Sequence, residues 1–486
     1  MLLKPGERTA SWGPSWGGRS AWKKPLRFGI GFLIAVGFVV LLWPKFEHRK
    51  IPTYPGPNNI TISTDVHCPV DFDLLDRLDV KKLRHYLRRE VVPVQSDADL
   101  PHAQHLDIPL LDDGQLSKVD QDLVKQSQDE CLNPLPITLK VPQPPKTADA
   151  SHIDFGIATT LERLNDSIDA FSHWAGYTRT RIFALIEPDG KVAEVRARAD
   201  SLGINLHVTE SNAEYQARYF SLIEHLAENM REQTRWSCIM DDDTFFPSMR
   251  ALVDALREYD DSTPVYLGGL SESIPQIGMF GLMGFGGAGV FLSRPLVEQL
   301  NDPRVMEECQ TMDYTGDRRI SYCIYQHTGT HLTIDYRLRQ LDIVGDVSGF
   351  FEAGREPPLS VHHWKSWFDA DMAKLSTVSD ACGETCLLRK WSFSDGWMLT
   401  NGFSVVKYSN PVDPNDPTME VTWSGDHGAV LESFLHALGP LRPKDSGKIS
   451  YNMREATVED GVVRQYYVHR DSEQGDKILE LIWRAG

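Results

Sequence analysis

The chain has 486 residues, 41% of them hydrophobic, and its 68 acidic side chains outnumber 50 basic ones for a formal charge of −18. That length exceeds one average domain and can bury a substantial core, so the expectation is one large domain with flanking pieces or two smaller ones. The acidic balance argues against nucleic acid as a partner, because neutralising phosphates takes clustered lysine and arginine.

Near the N-terminus, Phe28 to Trp43 is almost wholly apolar and carries no charge. It reads as a transmembrane anchor, short of the roughly 20 residues usual for a spanning helix but tolerable in a thin early-secretory membrane. The rival reading, a signal-peptide core, lacks a small-residue cleavage site; Pro44, Lys45, Arg49 and Lys50 follow instead. Lys4, Arg8, Arg19, Lys23, Lys24 and Arg27 precede the span and outnumber the basic residues after it. Residues 1–27 are therefore expected to be a cytosolic tail, and the rest a lumenal part of a single-pass type II protein in a Golgi or other secretory membrane.

Seven cysteines suit an oxidising lumen. Spacing suggests the pairs Cys382 with Cys386, Cys309 with Cys323 and Cys68 with Cys131, leaving Cys238 as a free core thiol. Acceptor sequons at Asn59 (Asn59-Ile60-Thr61) and Asn165 (Asn165-Asp166-Ser167) fit a glycoprotein.

Residues 44–150 are rich in proline and charge, with one helical stretch predicted near Leu74 to Arg89, and read as a lumenal stem. From Ile153 short apolar runs alternate with helical periodicity, the pattern of βαβ units and a largely parallel sheet over residues 151–390. Strands are predicted at Ile153 to Ala158, Arg181 to Ile186, Asn205 to Val208 and Ser237 to Met240. Between the last two, Tyr215, Tyr219, Leu222, Ile223, Leu226 and Met230 recur at helical steps and read as core. Helices are also predicted from Pro247 to Glu258 and after Ser293-Arg294-Pro295. From Trp391 to the C-terminus the pattern turns β-rich.

The run Trp236-Ser237-Cys238-Ile239-Met240-Asp241-Asp242-Asp243-Thr244 takes an apolar strand straight into three carboxylates. Ligands of open α/β sheets bind beyond the carboxyl ends of strands. Two carboxylates about 4 Å apart repel by roughly 4 kcal/mol at an effective dielectric near 20, and a hard divalent cation reverses that cost. Alternate residues share one side of an extended chain, so Asp241 and Asp243 should converge while Asp242 points elsewhere. A solvated loop capping the next helix is the plainer alternative. An EF-hand loop fits worse, since Phe246 stands where that loop needs glycine. Further on, Phe285-Gly286-Gly287-Ala288-Gly289-Val290 is a glycine-rich turn that permits close backbone approach to a ligand.

These pieces, in this order and approximate spacing, resemble the fringe-like inverting β1,3-glycosyltransferases, glycosyltransferase family 31. The resemblance covers roughly Ile153 to Trp367. It rests on Phe155-Gly156-Ile157-Ala158-Thr159-Thr160, Met240-Asp241-Asp242-Asp243-Thr244, Gly286-Gly287-Ala288-Gly289, Tyr314-Thr315-Gly316-Asp317-Arg318-Arg319-Ile320 and Leu359-Ser360-Val361-His362-His363-Trp364. It implies a GT-A type, Rossmann-like mixed sheet flanked by helices. It also implies a UDP-sugar donor whose diphosphate is held by Mn2+, and a glycan or glycoprotein acceptor. Asp243, Asp241 and His362 are the implied metal ligands, with His363 in reserve because two adjacent histidines cannot be ranked by sequence. Thr159, Thr160, Asp241, Asp242, Gly287, Ala288 and Gly289 are the implied donor contacts.

Inversion at an anomeric carbon needs one base for the acceptor hydroxyl, and Asp317 is the implied base. The family often has two acidic residues there, whereas this chain has Gly316 before Asp317, and Asp313 is the alternative. Trp364 and Trp367 flank the histidines as candidate sugar-facing rings. Two rivals remain at the level of sequence: a catalytically silent carbohydrate-binding or chaperone-like subunit of the same fold, and a metal-dependent hydrolase.

Overall fold

The computed structural model describes residues 53–63, 69–111, 135–314, 316–368, 370–425 and 429–484. The apolar segment 28–43 and the Cys68 and Cys131 pair lie outside these residues. Among the described residues no helix is long and apolar enough to cross a membrane.

Asp71 caps a short helix, Phe72–Arg77, by accepting from the Asp73 and Leu74 N–H groups. The chain turns at Asp79, in the left-handed region at φ 52, and then runs as a 15-residue strand, Lys82–Ser96 (β1). The helix predicted over Leu74 to Arg89 therefore ends after six residues. A register shift near the start of β1 separates Leu83 from Tyr86, and with Arg89 also buried the three fall at three-residue steps, which mimics a helical stripe.

The second sheet is the one anticipated from the apolar runs. Ile153–Thr159 (β2) leads into helix Leu161–Ala175 (α1), followed by strands Arg181–Ile186 (β3), Asn205–Glu210 (β4) and Trp236–Met240 (β5). Helix Met249–Leu256 (α2) separates β5 from strand Tyr266–Gly268 (β6). Strand Val290–Ser293 (β7), helix Gly316–His327 (α3) and strand Leu332–Ile334 (β8) complete the unit. The strand order is β8-β6-β7-β5-β2-β3-β4, with β7 antiparallel to both neighbours and the remaining pairs parallel. A mixed α/β sheet with helices on both faces results.

Both helical faces are built from the expected stripes. On one, Leu161, Leu164, Ile168, Phe171 and Trp174 of α1 are buried, and Trp174 meets Phe155 of β2 at 5.0 Å and Phe246 at 5.1 Å. Each such ring contributes roughly 1.5–3 kcal/mol by leaving water. On the other, Leu222 and Leu226 pack on Gly156 of β2. That second stripe is broken at Ser221 into helices Tyr215–Phe220 and Leu222–Glu228, where the Ser221 hydroxyl donates back to the Arg218 carbonyl.

Beyond Lys390 the chain is β-rich as predicted: Lys390–Phe393 (β9), then Ile449–Glu459 (β10), Val462–His469 (β11) and Asp476–Arg484 (β12). The β10, β11 and β12 strands form an antiparallel meander, and β12 runs parallel to β1. The stretch expected to be a stem thus shares one eleven-stranded sheet with the C-terminal segment. Glu480 on β12 shows the chemical reason, because its buried carboxylate takes Arg88 Nε at 2.8 Å, the Tyr86 hydroxyl at 2.9 Å and Arg464 at 2.6 Å. A charge buried on this strand needs those partners from β1 and β11.

Among the described residues two disulfides join Cys309 to Cys323 and Cys382 to Cys386, and Cys238 is a free buried thiol.

Candidate active site

The three aspartates stand just past the carboxyl end of β5, and each finds a different environment. Asp242 is buried and turned back toward the start of α1. Arg163 grips it with two bonds, Nε to Oδ2 at 2.7 Å and NH2 to Oδ1 at 2.5 Å, while the Thr159 hydroxyl also donates to Oδ2. Paired geometry of this kind is among the stronger charge-assisted contacts. Asp241 and Asp243 face the other way and converge on one imidazole. His362 Nε2 lies 3.3 Å from Asp241 Oδ2 and 3.0 Å from Asp243 Oδ1.

A two-way backbone clamp brings the histidines to the aspartates. Phe245 and Val361 exchange N–H to carbonyl bonds of 2.9 Å in each direction, fixing Asp243 beside His362. Successive side chains of an extended segment normally point to opposite sides. His363 escapes that alternation because its backbone is left-handed, at φ 62. Its ring is 3.8 Å from that of His362, and ligand atoms of Asp243, His362 and His363 all fall within 4.8 Å of one another. Asp342 Oδ1 sits 3.1 Å from His363 Nε2, and the Trp367 ring stacks on His363 at 4.0 Å. With Nε2 donating to Asp342, His363 Nδ1 is left with a lone pair to offer.

This donor set, carboxylate oxygens with imidazole nitrogens, suits a divalent cation. The electrostatics agree. Burial opposes charge on His362, yet hydrogen bonds and charge from Asp241 and Asp243 outweigh it and lift the imidazole to about 10. Burial likewise opposes charge on Asp243, and His362 overcomes it, holding the carboxyl down at about 2. The site thus holds positive charge between two carboxylates. Thr159, Thr160, Arg163, Tyr215 and Trp367 line the rest of a cleft of about 380 Å³.

The glycine-rich turn works from behind this cleft. A methyl group at Gly287 would overlap the His362 ring, so the turn leaves the imidazole the space it occupies. The Gly287 carbonyl accepts from the Thr244 hydroxyl at 2.9 Å, and the Ala288 carbonyl from Ser360 at 2.6 Å. Gly289 takes φ 87 as the chain enters β7. At the start of the turn, the Gly286 N–H donates to Asp317 Oδ2 at 2.8 Å. A single turn therefore seats the histidine and the carboxylate that opens α3.

Asp317 retains some surface, but its carboxyl has lost enough hydration to be pushed up to about 7. The Gly286 N–H opposes that rise and the charge of Asp241 adds to it. Tyr219 packs its hydroxyl against Gly286, and burial, aided by the charges of Asp241 and Asp317, keeps that phenol well above its usual range.

Of the residues singled out from sequence, Asp241, Asp243, His362 and His363 come together, with Thr159, Thr160 and Asp242 on the same cleft. Thr160 caps α1 through the Arg163 N–H, while Thr159 holds Asp242. Gly287, Ala288 and Gly289 support the site through His362, Thr244 and Ser360. Asp313 is exposed on the approach to α3, and Trp364 is buried. Sequence reasoning passed over Arg163, Asp342 and Tyr219. The first had a readable signal, since three adjacent carboxylates call for a cation and α1 begins with an arginine in its first turn. Asp342 had none, lying about twenty residues before its partner. Tyr219 was absorbed into the core stripe.

Residues 171–342 match the family described as Fringe-like. No curated protein matches the chain. Among solved structures, apo glycosyltransferase GlyE of Streptococcus pneumoniae TIGR4 is 10% identical with a TM-score of 0.29, over 43% of this chain and 54% of that one. The chain thus spans about half the length of GlyE. Apo mouse xyloside xylosyltransferase 1 is 12% identical with a TM-score of 0.28, over 43% and 96% of the two chains. Galactosyltransferase LgtC in complex with donor and acceptor sugar analogs is 15% identical with a TM-score of 0.29, over 43% and 86%. Likenesses this slight carry no argument about chemistry. The Fringe-like stretch itself runs from within α1 to Asp342 and includes the aspartate run, the glycine turn and Asp317, so the chain carries a Fringe-like domain over these residues.

Proposed function

We propose that the chain is a metal-dependent, inverting transferase on a GT-A type fold. It moves a hexose or N-acetylhexosamine from a UDP-sugar to a glycan hydroxyl in β1,3 linkage. The observation that carries this reading is the convergence of Asp243, His362 and His363, with Asp241 beside His362 and the Asp317 carboxyl held apart from them by the Gly286 N–H. Mn2+ bound by these residues would supply positive charge for the departing diphosphate. The protein's own side chains divide the remaining work. Asp317, with its affinity for a proton matched to neutral pH, accepts the proton of the acceptor hydroxyl as the new glycosidic bond forms and the bond to the diphosphate breaks. Asp342 and Trp367 fix the His363 ring, and Arg163 draws Asp242 out of the ligand set.

Residence as a Golgi-type, membrane-anchored, lumenal glycoprotein belongs to the same proposal. The two disulfides support it, because such bonds persist in oxidising compartments. The test of the enzyme reading is a thermal-shift screen of UDP-sugars with and without Mn2+, followed by acceptor-dependent transfer from the donor that binds. A Mn2+-dependent shift with one donor is expected; absence of any shift with every UDP-sugar would sink the reading.

A further inference from the structure

A second cavity, of about 440 Å³, opens between α2, the segment preceding His362, and β9. Its charge is opposite in kind to that of the aspartate cleft. Lys390 lines it while only 2% exposed, and no ion pair forms at its ammonium among the described residues. The ammonium meets His102 Nε2 at 3.4 Å, and that imidazole is pushed down to about 3 by burial together with the charges of Lys390 and Arg389, so it stays neutral. Glu352 acts on Lys390 from a distance, but both its oxygens are engaged: Oε1 by Ser404 at 2.8 Å, Oε2 by Tyr408 and Lys448, each at 3.0 Å.

Two more cations on the wall are under-neutralised. Arg339 donates to the Ala437 carbonyl at 3.3 Å and stands 3.9 Å from Glu272, a carboxyl that burial pushes up to about 7. Arg355 spends its bonds on the carbonyls of Pro417, Leu438 and Gly439. Arg337 adds nothing, being matched by Glu258 and Asp335. Of the other acids lining the cavity, Asp254 is paired with Arg257 and Glu356 is exposed.

A buried charge without a partner is costly, and burial already drags the Lys390 ammonium down to about 7. An anion in the cavity removes that cost. The wall also offers flat apolar surface in Phe350 and in Tyr336, which is 50% exposed. Rings of this kind take the apolar face of a sugar. We propose that this pocket binds an acidic sugar unit, its carboxylate or phosphate held by Lys390, Arg339 and Arg355 and its ring laid against Tyr336 and Phe350. Leu359, also on the wall, precedes His362 by three residues, roughly 10 Å of extended chain. The pocket is thus placed to hold a charged unit of the glycan whose hydroxyl reacts in the cleft. That assignment to the acceptor rests on the transferase reading above.

The test uses the purified full chain and four probes: glucuronate, glucose 6-phosphate, glucose and inorganic phosphate, with UDP and Mn2+ in a parallel sample. Glucuronate or glucose 6-phosphate should raise the melting temperature and glucose should not; which acid acts identifies the charged group. Lys390→Met should weaken that binding by at least about tenfold, the size of a lost charge-assisted contact. Tyr336→Ala, a surface change that leaves the fold alone, should weaken the sugar acids and not inorganic phosphate. Equal binding of glucose, or inorganic phosphate binding as well as glucose 6-phosphate, would overturn the proposal. A UDP and Mn2+ shift without any shift from the acidic sugars would overturn it while leaving the cleft reading intact.

Discussion

The aspartate cleft and the Lys390 pocket pose the same electrostatic problem with opposite signs and solve it differently. In the cleft, Arg163 neutralises Asp242 within the protein, and the two remaining carboxylates are turned toward imidazoles that can share a cation. In the pocket, Arg337 is neutralised by Glu258 and Asp335, while Lys390 is left with a neutral histidine. The difference teaches where to look for ligands: a buried charge already matched by the chain is architecture, and one left over marks a place for something else.

The comparison is tested most severely at the cleft. Asp243→Asn should abolish the Mn2+-dependent thermal shift with UDP-sugar and reduce transfer by about a thousandfold or more, because it removes the carboxylate common to both histidines. Asp317→Asn should lower kcat by about 10² to 10⁴ with donor binding intact, since it removes the base and not the binding site. The wild-type rate should fall as pH drops below about 7, where the raised carboxyl takes up a proton, and the Asp317→Asn residual rate should lack that limb.

Next in size is Gly287→Ala. Its methyl displaces the His362 ring, and calorimetry should find Mn2+ affinity reduced by about ten- to a hundredfold. The smallest effect belongs to the pocket. The Lys390 pKa is lowered on folding, so between about 7 and its ordinary value the unfolded chain binds more protons and stability rises with pH. Glu352, the charge acting on this ammonium, and the His102 ring beside it are present in both proteins. Lys390→Met should therefore gain less melting temperature between pH 7 and 9 than wild type does.

Much of the cleft could be read from the chain because its parts are local. An apolar strand running into aspartates, helical stripes on either side and a glycine turn each fit within about a dozen residues. Cys309 with Cys323 and Cys382 with Cys386 are separated by only 14 and 4 positions. What escaped was long-range or depended on backbone detail. Lys82 to Arg89, the second half of the stretch read as a helix from Leu74, carries buried residues three apart, and its partner strand lies nearly four hundred residues away. That His363 joins His362 on the side of Asp243 turns on one left-handed φ that no pattern of side chains announces. The pocket was invisible for a related reason, since Arg339, Arg355 and Lys390 come from separate elements and an isolated basic residue reads as surface.

The pairing of β1 with β12 also dictates an order of events during synthesis. The Glu480 carboxylate that accepts from Tyr86 lies 394 positions later, so the outer sheet stays open along this edge of β1 until β12 has left the ribosome. The α/β unit, whose strands lie within Ile153 to Ile334, has all its pairing partners much earlier. It can close first and offer a finished surface, while the edge of β1 that meets β12 stays open, its other pairings being to Thr61–Ser63 and Ile137–Pro142, and needs protection from other nascent chains.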